Sequence, residues 1–508
     1  MIDTLYLEHY CMHIDAFING RSTPGEGGGP VARRSPIDGV TVVGTVASVS
    51  PEQVREAIGA AEEAQRDWAL VPVSERVERV RTAIADAIAD GGHDGLLIAA
   101  EMGKPAREAD GEFAFAQRYA DFCAPRAVEA CAEQLVDDEE GTLLRLAEPM
   151  GVVAAITPWN APVILAALKI IPALMTGNAV VLKPSPLAPL AVSAFVADIA
   201  ARLPAGLLNV LGGGPDVGEA LVSDPRIALV SFTGGPATAR AIGAAAARTI
   251  TPTVMELGGN DAAILLDDAD WGPELAERIV FGAFLTSGQV CMAIKRVLVP
   301  RDRHDAFVAE LVAAAARVLR VGDPRSDGVT MGPVVDAAAR TRLEALIASS
   351  RAAGGMVHEL GEVDADLPEG GHWLRPVLVS GLGDDHELVR EEQFGPVLPI
   401  LAYDDLDEAV RRANGVDHGL ASSVWSVDEH RAMQVARRLR AGFTFINCAN
   451  RAGVSLRAPM GGRGISGHGR EFGDLGIAEY LQSHSVNYPR TARPGSIMVA
   501  NRYPVAAS

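Results

Sequence analysis

From Gly151 to Asp270 short apolar runs alternate with helix-patterned stretches, and this alternation constrains the fold more than any other feature. "GVVAAITPW" leads into "APVILAALKIIPALMTG", and "NAVVLKPS" into a helical segment ending near Leu203. "LLNVLGGG", "IALVSFTGG" with the helix "ARAIGAAAA", "TVMELGG" and "AAILLDDAD" follow. Repeated βα units build a parallel doubly wound sheet, with ligands in the crevice beyond the strands' carboxyl ends. A second series starts at Lys295, with strands expected at "RVLVP", "VLPILAY", "LASSVWS" and "TFINCAN". Upstream, "ARRSPIDGVTVVGTVASVS" alternates like short strands, and Pro51 to Gly103 has helical apolar spacing. "GTLLRLAEP" reads as an extended arm. The tail after Glu479 alternates weakly and is broken by prolines; such segments either pair with another subunit's edge strand or stay solvated.

A chain of 508 residues exceeds one core, so two or three domains are expected. Its formal charge of −20 opposes binding to nucleic acid or anionic membranes and favours a small-molecule partner. The most apolar stretch is interrupted by Lys169 and Pro172 and is too short to span a bilayer. Cys11, Cys123, Cys131, Cys291 and Cys448 are odd in number and scattered, which fits a reducing compartment and gives neither a disulfide framework nor a metal site. "MIDTLYLEHYCMHID" carries acids where an export signal needs basic residues and an apolar run, so a cytoplasmic protein is expected.

Each motif has two readings. "SFTGGPATAR" follows a strand and opens a helix with Pro236 in its first turn, a context for a pyrophosphate or for an ordinary βα turn. Its glycines are Gly234 and Gly235 only, with Ala239 where a third would stand. Lys183 ends a strand, where it reaches a ribose or phosphate, or snorkels. Asn160 in "TPWNAP" is an oxyanion donor or a helix cap. Glu256 in "MELGGND" is a buried base or an exposed strand end, followed by two glycines that admit close approach. Cys291 in "TSGQVCMAI" is a nucleophile or a small inert hydrophobe.

The succession "TPWNAP", "NAVVLKPSP", "SFTGG", "MELGGND", "GQVC", "EEQFGP" and "PMGGRGISGHGRE" resembles the NAD(P)-dependent aldehyde dehydrogenase superfamily in order and spacing, from about residue 15 to residue 486. The resemblance implies an α/β fold of that type: a doubly wound Rossmann-type NAD(P)-binding domain (1–126 and 147–258), a second α/β catalytic domain (259–458), and a small β oligomerisation arm with the C-terminal tail (127–146 and 475–508). It implies a homodimer or homotetramer acting on a small aldehyde. Cys291 maps onto the nucleophile, Glu256 onto the general base and Asn160 onto the oxyanion amide beside the Cys291 N–H. Lys169 and Glu471 match a proton-passing pair. Cofactor positions fall on Ile156, Thr157, Pro158, Trp159, Lys183, Ser185, Pro186, Phe232, Thr233, Gly234, Gly235, Leu257, Glu392 and Phe394.

The implied chemistry is addition of a thiolate to the carbonyl, hydride transfer to nicotinamide, and hydrolysis of the thioester by water that Glu256 activates. Pro186 stands where many NAD-preferring members carry a glutamate for the ribose 2′-hydroxyl. The resemblance implies NAD, and because proline neither accepts that hydrogen bond nor repels a 2′-phosphate, NADP is left open. Tunnel positions fall on Ala161, Ile164, Leu165, Leu168, Leu285, Val290, Met292, Val454 and Met460, all apolar and none aromatic. They imply medium-chain aliphatic or aromatic aldehydes, while Arg451 and Arg457 offer a distal-carboxylate alternative. Rival readings are a CoA-acylating enzyme, a hydrolase pairing Cys291 with His468, and a fold without turnover.

Overall fold

The computed structural model describes residues 12–490. Cys11 and the tail beyond residue 490 lie outside the described residues. The first large sheet runs, edge to edge, through Gly467–His468, Thr253–Glu256, Ile227–Thr233, Val152–Ile156, Ala179–Lys183, Leu208–Val210, Ala16–Ile18 and Arg21–Thr23. Its five central strands are parallel, and the flanking segments pair antiparallel at both sides. In chain order the central five lie 5-4-1-2-3, so the winding reverses between Val152–Ile156 and Ile227–Thr233. That reversal opens the crevice where a doubly wound sheet receives a ligand.

The second sheet runs through Met356–Glu359, Val377–Ser380, Val397–Tyr403, Ile294–Pro300, Asp261–Leu265, Ala421–Trp425 and Phe443–Ile446, and only its first strand is antiparallel. Asp261–Leu265 therefore does not continue the first series, as "AAILLDDAD" was read to do; it lies at the centre of the second sheet. A short run buried on both faces reads alike in either sheet, so periodicity cannot assign it.

"GTLLRLAEP" is a strand, Gly141–Pro149, flanked by Gln134–Asp137 and by Leu481–Pro489. The last pairs with it along its whole length, from Leu481 opposite Pro149 to Pro489 opposite Gly141. This part of the tail is an exposed edge strand that completes the arm of its own chain. The amino-terminal strands Val31–Arg34 and Val42–Val46 join Met12–Ile14 in a small sheet, and Pro51 to Gly103 forms three helices. Among the described residues no helix is long and apolar enough to cross a membrane.

The helix Pro162–Met175 covers the first sheet and follows Asn160 directly. Its N-cap residue, Ala161, has no capping side chain. The cap comes instead from Glu112, inside the helix Ala106–Ala130, whose Oε2 accepts from Val163 N at 3.0 Å and Ile164 N at 3.2 Å. Its other oxygen accepts from Lys104 Nζ, and both side chains are fully buried. Removing one partner leaves an uncompensated buried charge, at a cost of about 3–5 kcal/mol. Glu112→Ala is therefore expected to lower the unfolding free energy from denaturant titration by an amount of that order, and Lys104→Met in the same background to restore part of it.

Candidate active site

The crevice of the first sheet carries polar groups that no described residue satisfies. Thr157 Oγ1 and Thr233 Oγ1, at the ends of the two strands flanking the reversal, are both buried without a partner. An unpaired buried hydroxyl is costly, so these two suit a polar ligand. Beside them Gly234 N donates to Glu256 O at 3.0 Å, and Gly235 is the N-cap of the helix Pro236–Ala246. A Cβ on Gly234 would lie 2.4 Å from the Phe232 ring, so only glycine fits that turn. The free N–H groups at this helix start are a ready anion site.

Ile156 and Leu257 are buried at the floor, and Pro158, Ser185 and Pro186 are half-buried. Lys183 is buried at its strand end, and desolvation brings its ammonium down to about 8, partly opposed by Asp216. Trp159 meets Phe394 edge-on at 5.6 Å. These residues, with the two threonines, can hold a dinucleotide along the crevice.

The thiol sits on a contorted loop. After the helix Pro273–Phe284 come Thr286 (φ 52°), Ser287 (φ 57°) and Gly288 (φ 70°), three successive left-handed residues. The two that are not glycine cost about 1–3 kcal/mol each and persist only if held. Thr286 Oγ1 donates to Glu108 Oε2 (2.8 Å) and accepts from Arg451 Nη2 (2.7 Å), while Ser287 Oγ donates to Gly332 O (2.9 Å). Gln289 accepts from Val335 N at 2.9 Å and donates to Thr286 O at 3.2 Å. Its backbone carbonyl accepts from Asn160 Nδ2 at 2.9 Å, which ties the amide to the loop that carries Cys291.

On the other side of the thiol, Gly258 and Gly259 make room. A Cβ at Gly258 would fall 1.9 Å from Glu392 Oε2, and one at Gly259 2.7 Å from Cys291 O. Glu256, two residues earlier, is buried with Oε1 unpartnered. Desolvation, then repulsion from Glu471, holds its carboxyl well above the ordinary carboxylate range against the pull of Lys169 and Arg470. Lys169 and Glu471, named as a pair from the sequence, are in contact at 2.7 Å, with Ser231 Oγ at 3.3 Å from the same ammonium. The half-buried Cys291 thiol is pushed up to about 12 by desolvation, with Lys295 opposing and Glu392, Asp261 and Glu256 adding to the rise.

Sequence reasoning passed over Lys295, whose ammonium reaches Glu392 Oε1 at 3.2 Å and lies 5.6 Å from the Phe394 ring. Its signal was a lysine opening a buried strand. His468, the partner in the hydrolase reading, is exposed and bonded instead to Thr253 Oγ1 at 2.7 Å.

The expected tunnel residues divide. Ile164, Leu165, Met292 and Val454 are partly buried apolar residues packed against the first core, and Leu168 and Met460 are buried within it. Ala161 and Val290 are buried too. Leu285 lines a separate cavity of about 1090 Å³ with Phe281, Arg278, Glu108, Cys448 and Arg451. Charged residues, Glu108, Arg278 and Arg451, stand in its lining beside the apolar Leu285 and Phe281. Arg451 is engaged by Thr286 and lies 3.8 Å from Glu108, and Arg457 is exposed.

The sequence model described as the aldehyde dehydrogenase family matches residues 23–486. The chain belongs to the aldehyde dehydrogenase family. It is 37% identical over 453 residues to the lactaldehyde dehydrogenase of Escherichia coli, covering 88% of this chain and 92% of that protein. It is 36% identical over 472 residues to a betaine aldehyde dehydrogenase of Cereibacter sphaeroides, covering 92% and 96%. The NAD-dependent aldehyde dehydrogenase of Sinorhizobium meliloti superposes with a TM-score of 0.89 at 31% identity, over 96% of this chain and 97% of the other. Betaine aldehyde dehydrogenase of Staphylococcus aureus in complex with NAD+ does so with a TM-score of 0.89 at 29% identity, over 97% of each. The chain is thus an oxidoreductase of the aldehyde dehydrogenase class with a Rossmann-type fold.

Within this aldehyde dehydrogenase site the glycine pair gives a sharp expectation. Gly258→Ala displaces Glu392, and misplacement by about 1 Å costs roughly 100-fold in kcat/KM. Steady-state kinetics with the thermal unfolding profile as a control would check it.

Proposed function

We propose that this aldehyde dehydrogenase oxidises an apolar aldehyde to its acid through a thioester on Cys291, with Glu256 activating the hydrolytic water. The bond from Asn160 to the loop that carries Cys291, the approach of Cys291 O to Gly259, and the buried, unpartnered Glu256 three residues before that glycine support this reading. The sulfur, its proton released to solvent, adds as thiolate to the carbonyl carbon. The resulting oxyanion is held by the Asn160 amide and the Cys291 N–H. Bound nicotinamide supplies the hydride acceptor. Glu256 then takes a proton from water, which attacks the thioester and releases the acid, and the Lys169–Glu471 pair carries the proton onward.

The first sheet serves as the cofactor domain (1–126 and 147–258), the second as the catalytic domain (259–458). The dinucleotide's pyrophosphate rests on Gly234 and Gly235, and its ribose groups on Lys183 and Glu392. Pro186 offers neither a hydrogen bond nor a charge there, yet Asp216 is near enough to influence Lys183. We assign NAD as the preferred cofactor on that acid. Asp216→Asn is expected to raise the NADP/NAD ratio of kcat/KM by relieving like-charge repulsion of a 2′-phosphate, as steady-state kinetics with both cofactors would show.

The apolar surface of Ile164, Leu165, Met292 and Val454 supports medium-chain aliphatic or aromatic aldehydes, and the pairing of Arg451 removes support for a distal carboxylate. Lactaldehyde and betaine aldehyde, named for two relatives, differ too much in chemistry to transfer. Exposed Leu135, Val136, Leu143, Val486 and Tyr488 on the arm support a homodimer or homotetramer.

Cys291→Ala is expected to abolish nicotinamide reduction while cofactor binding by fluorescence titration persists; residual turnover in that variant would exclude the thiol. Reduction of cofactor without CoA separates hydrolysis from transfer to a thiol. Because the folded-state carboxyl of Glu256 titrates above its ordinary range, its base form grows as pH rises through that higher window. Deacylation is accordingly expected to quicken with pH above the ordinary carboxylate range, and Glu256→Gln to slow it about 100-fold or more and flatten the profile.

A further inference from the structure

Lys295 has no part in the mechanism above, yet it is the buried cation nearest the nucleophile's backbone. Its side chain is 1% exposed. Nζ donates to Val290 O at 2.6 Å, to Cys291 O at 3.1 Å and to Glu392 Oε1 at 3.2 Å, which uses all three ammonium hydrogens. Glu392 Oε1 also accepts from Gly259 N at 3.1 Å, so the cation and the seam hold that carboxylate together.

The Val290 carbonyl belongs to the same peptide as the Cys291 N–H. No cis peptide occurs among the described residues, so that N–H points opposite to the carbonyl, away from the ammonium. It has no acceptor among the described residues, whereas its neighbour peptide carbonyl, Gln289 O, is taken by Asn160. Ala293 N donates to the same Val290 oxygen at 3.2 Å. Two donors, one of them charged, therefore pull electron density toward the oxygen of a peptide whose other end is free.

We infer that Lys295 is a positioning residue that polarises the Val290–Cys291 peptide and so strengthens the Cys291 N–H as a donor to the oxyanion formed on the aldehyde carbon. The inference rests on the reading of Cys291 as nucleophile. Hydrogen bonds in a chain polarise one another, and a charge acting in a dry site is little screened. The donor is fixed before the reaction, so no reorganisation is needed when the oxyanion appears. The same ammonium, by pinning Glu392, couples the rigidity of the nucleophile loop to the carboxylate assigned to the ribose.

The test uses a trifluoromethyl ketone bearing a medium-chain alkyl group, which adds to a thiol and gives a hemithioketal that cannot pass on hydride. The pH at which its hydroxyl ionises, read by ¹⁹F NMR, reports oxyanion stabilisation after the thiol proton has left the balance. In the full-length enzyme Lys295→Met is expected to raise that pH by about one to two units and to slow the first-turnover burst of reduced cofactor about 10- to 100-fold, part of what deleting an oxyanion donor costs. Lys295→Gln, which keeps one N–H but no charge, is expected to fall between, and it carries the comparison if the methionine variant does not fold. An unchanged ionisation pH in both variants, with all loss confined to cofactor affinity, would overturn the inference and leave Lys295 serving Glu392 alone. Mass spectrometry of the wild-type adduct keeps the two questions apart: ketone attached elsewhere than Cys291 defeats the nucleophile reading itself.

Discussion

Where the first sheet hands the chain to the second, Gly258 and Gly259 leave space for the Glu392 carboxylate on one side and the Cys291 carbonyl on the other. Close packing around two absent Cβ atoms brings a strand end, a contorted loop and a distant acidic turn within reach of one reacting carbon. Any side chain there would have to displace a carboxylate or a peptide, and dense interiors yield little. The reversal of the first sheet and the strand opening at Ile294 deliver their groups to this same seam.

Burial governs the chemistry that follows. It pushes both the Cys291 thiol and the Glu256 carboxyl upward, so ionisation of each gains from help by a neighbouring cation. Two buried cations supply that help from opposite sides: Lys169 beside Glu471, and Lys295 against the loop carbonyls and Glu392. Such arrangements are costly to fold and are retained where separate titrations are needed in one small space. The left-handed turn at Thr286 and Ser287 belongs to the same economy, since Glu108, Arg451 and Gly332 hold a backbone that would otherwise relax.

Much of this was legible in the chain. The βα alternation fixed the fold class because each strand is a compact apolar run, and the order of motifs located Cys291, Asn160, Glu256 and the Lys169–Glu471 pair. The glycines after Glu256 signalled close approach, and the structure shows what approaches. Other features depend on contacts between distant segments. Asp261–Leu265 looks the same in either sheet, and the cap from Glu112 reaches Val163 across 51 positions. Leu481–Pro489 pairs within its own arm because register, which weak alternation does not encode, is set by the partner strand. Lys295 was hidden in a run read only as a strand, and the charged Glu108 and Arg451 that line the cavity near Leu285 come from segments remote from each other in sequence.

The central claim is that one sulfur carries the acyl group and one carboxylate releases it. Mixing Glu256→Gln enzyme with a medium-chain aldehyde and NAD+, then quenching within the first turnover, tests this most directly. The account predicts one equivalent of reduced cofactor per active subunit and an acyl mass increment on the peptide containing Cys291, persisting far longer than in the unsubstituted enzyme. Steady turnover without accumulation, or acyl mass on any other residue, would contradict it.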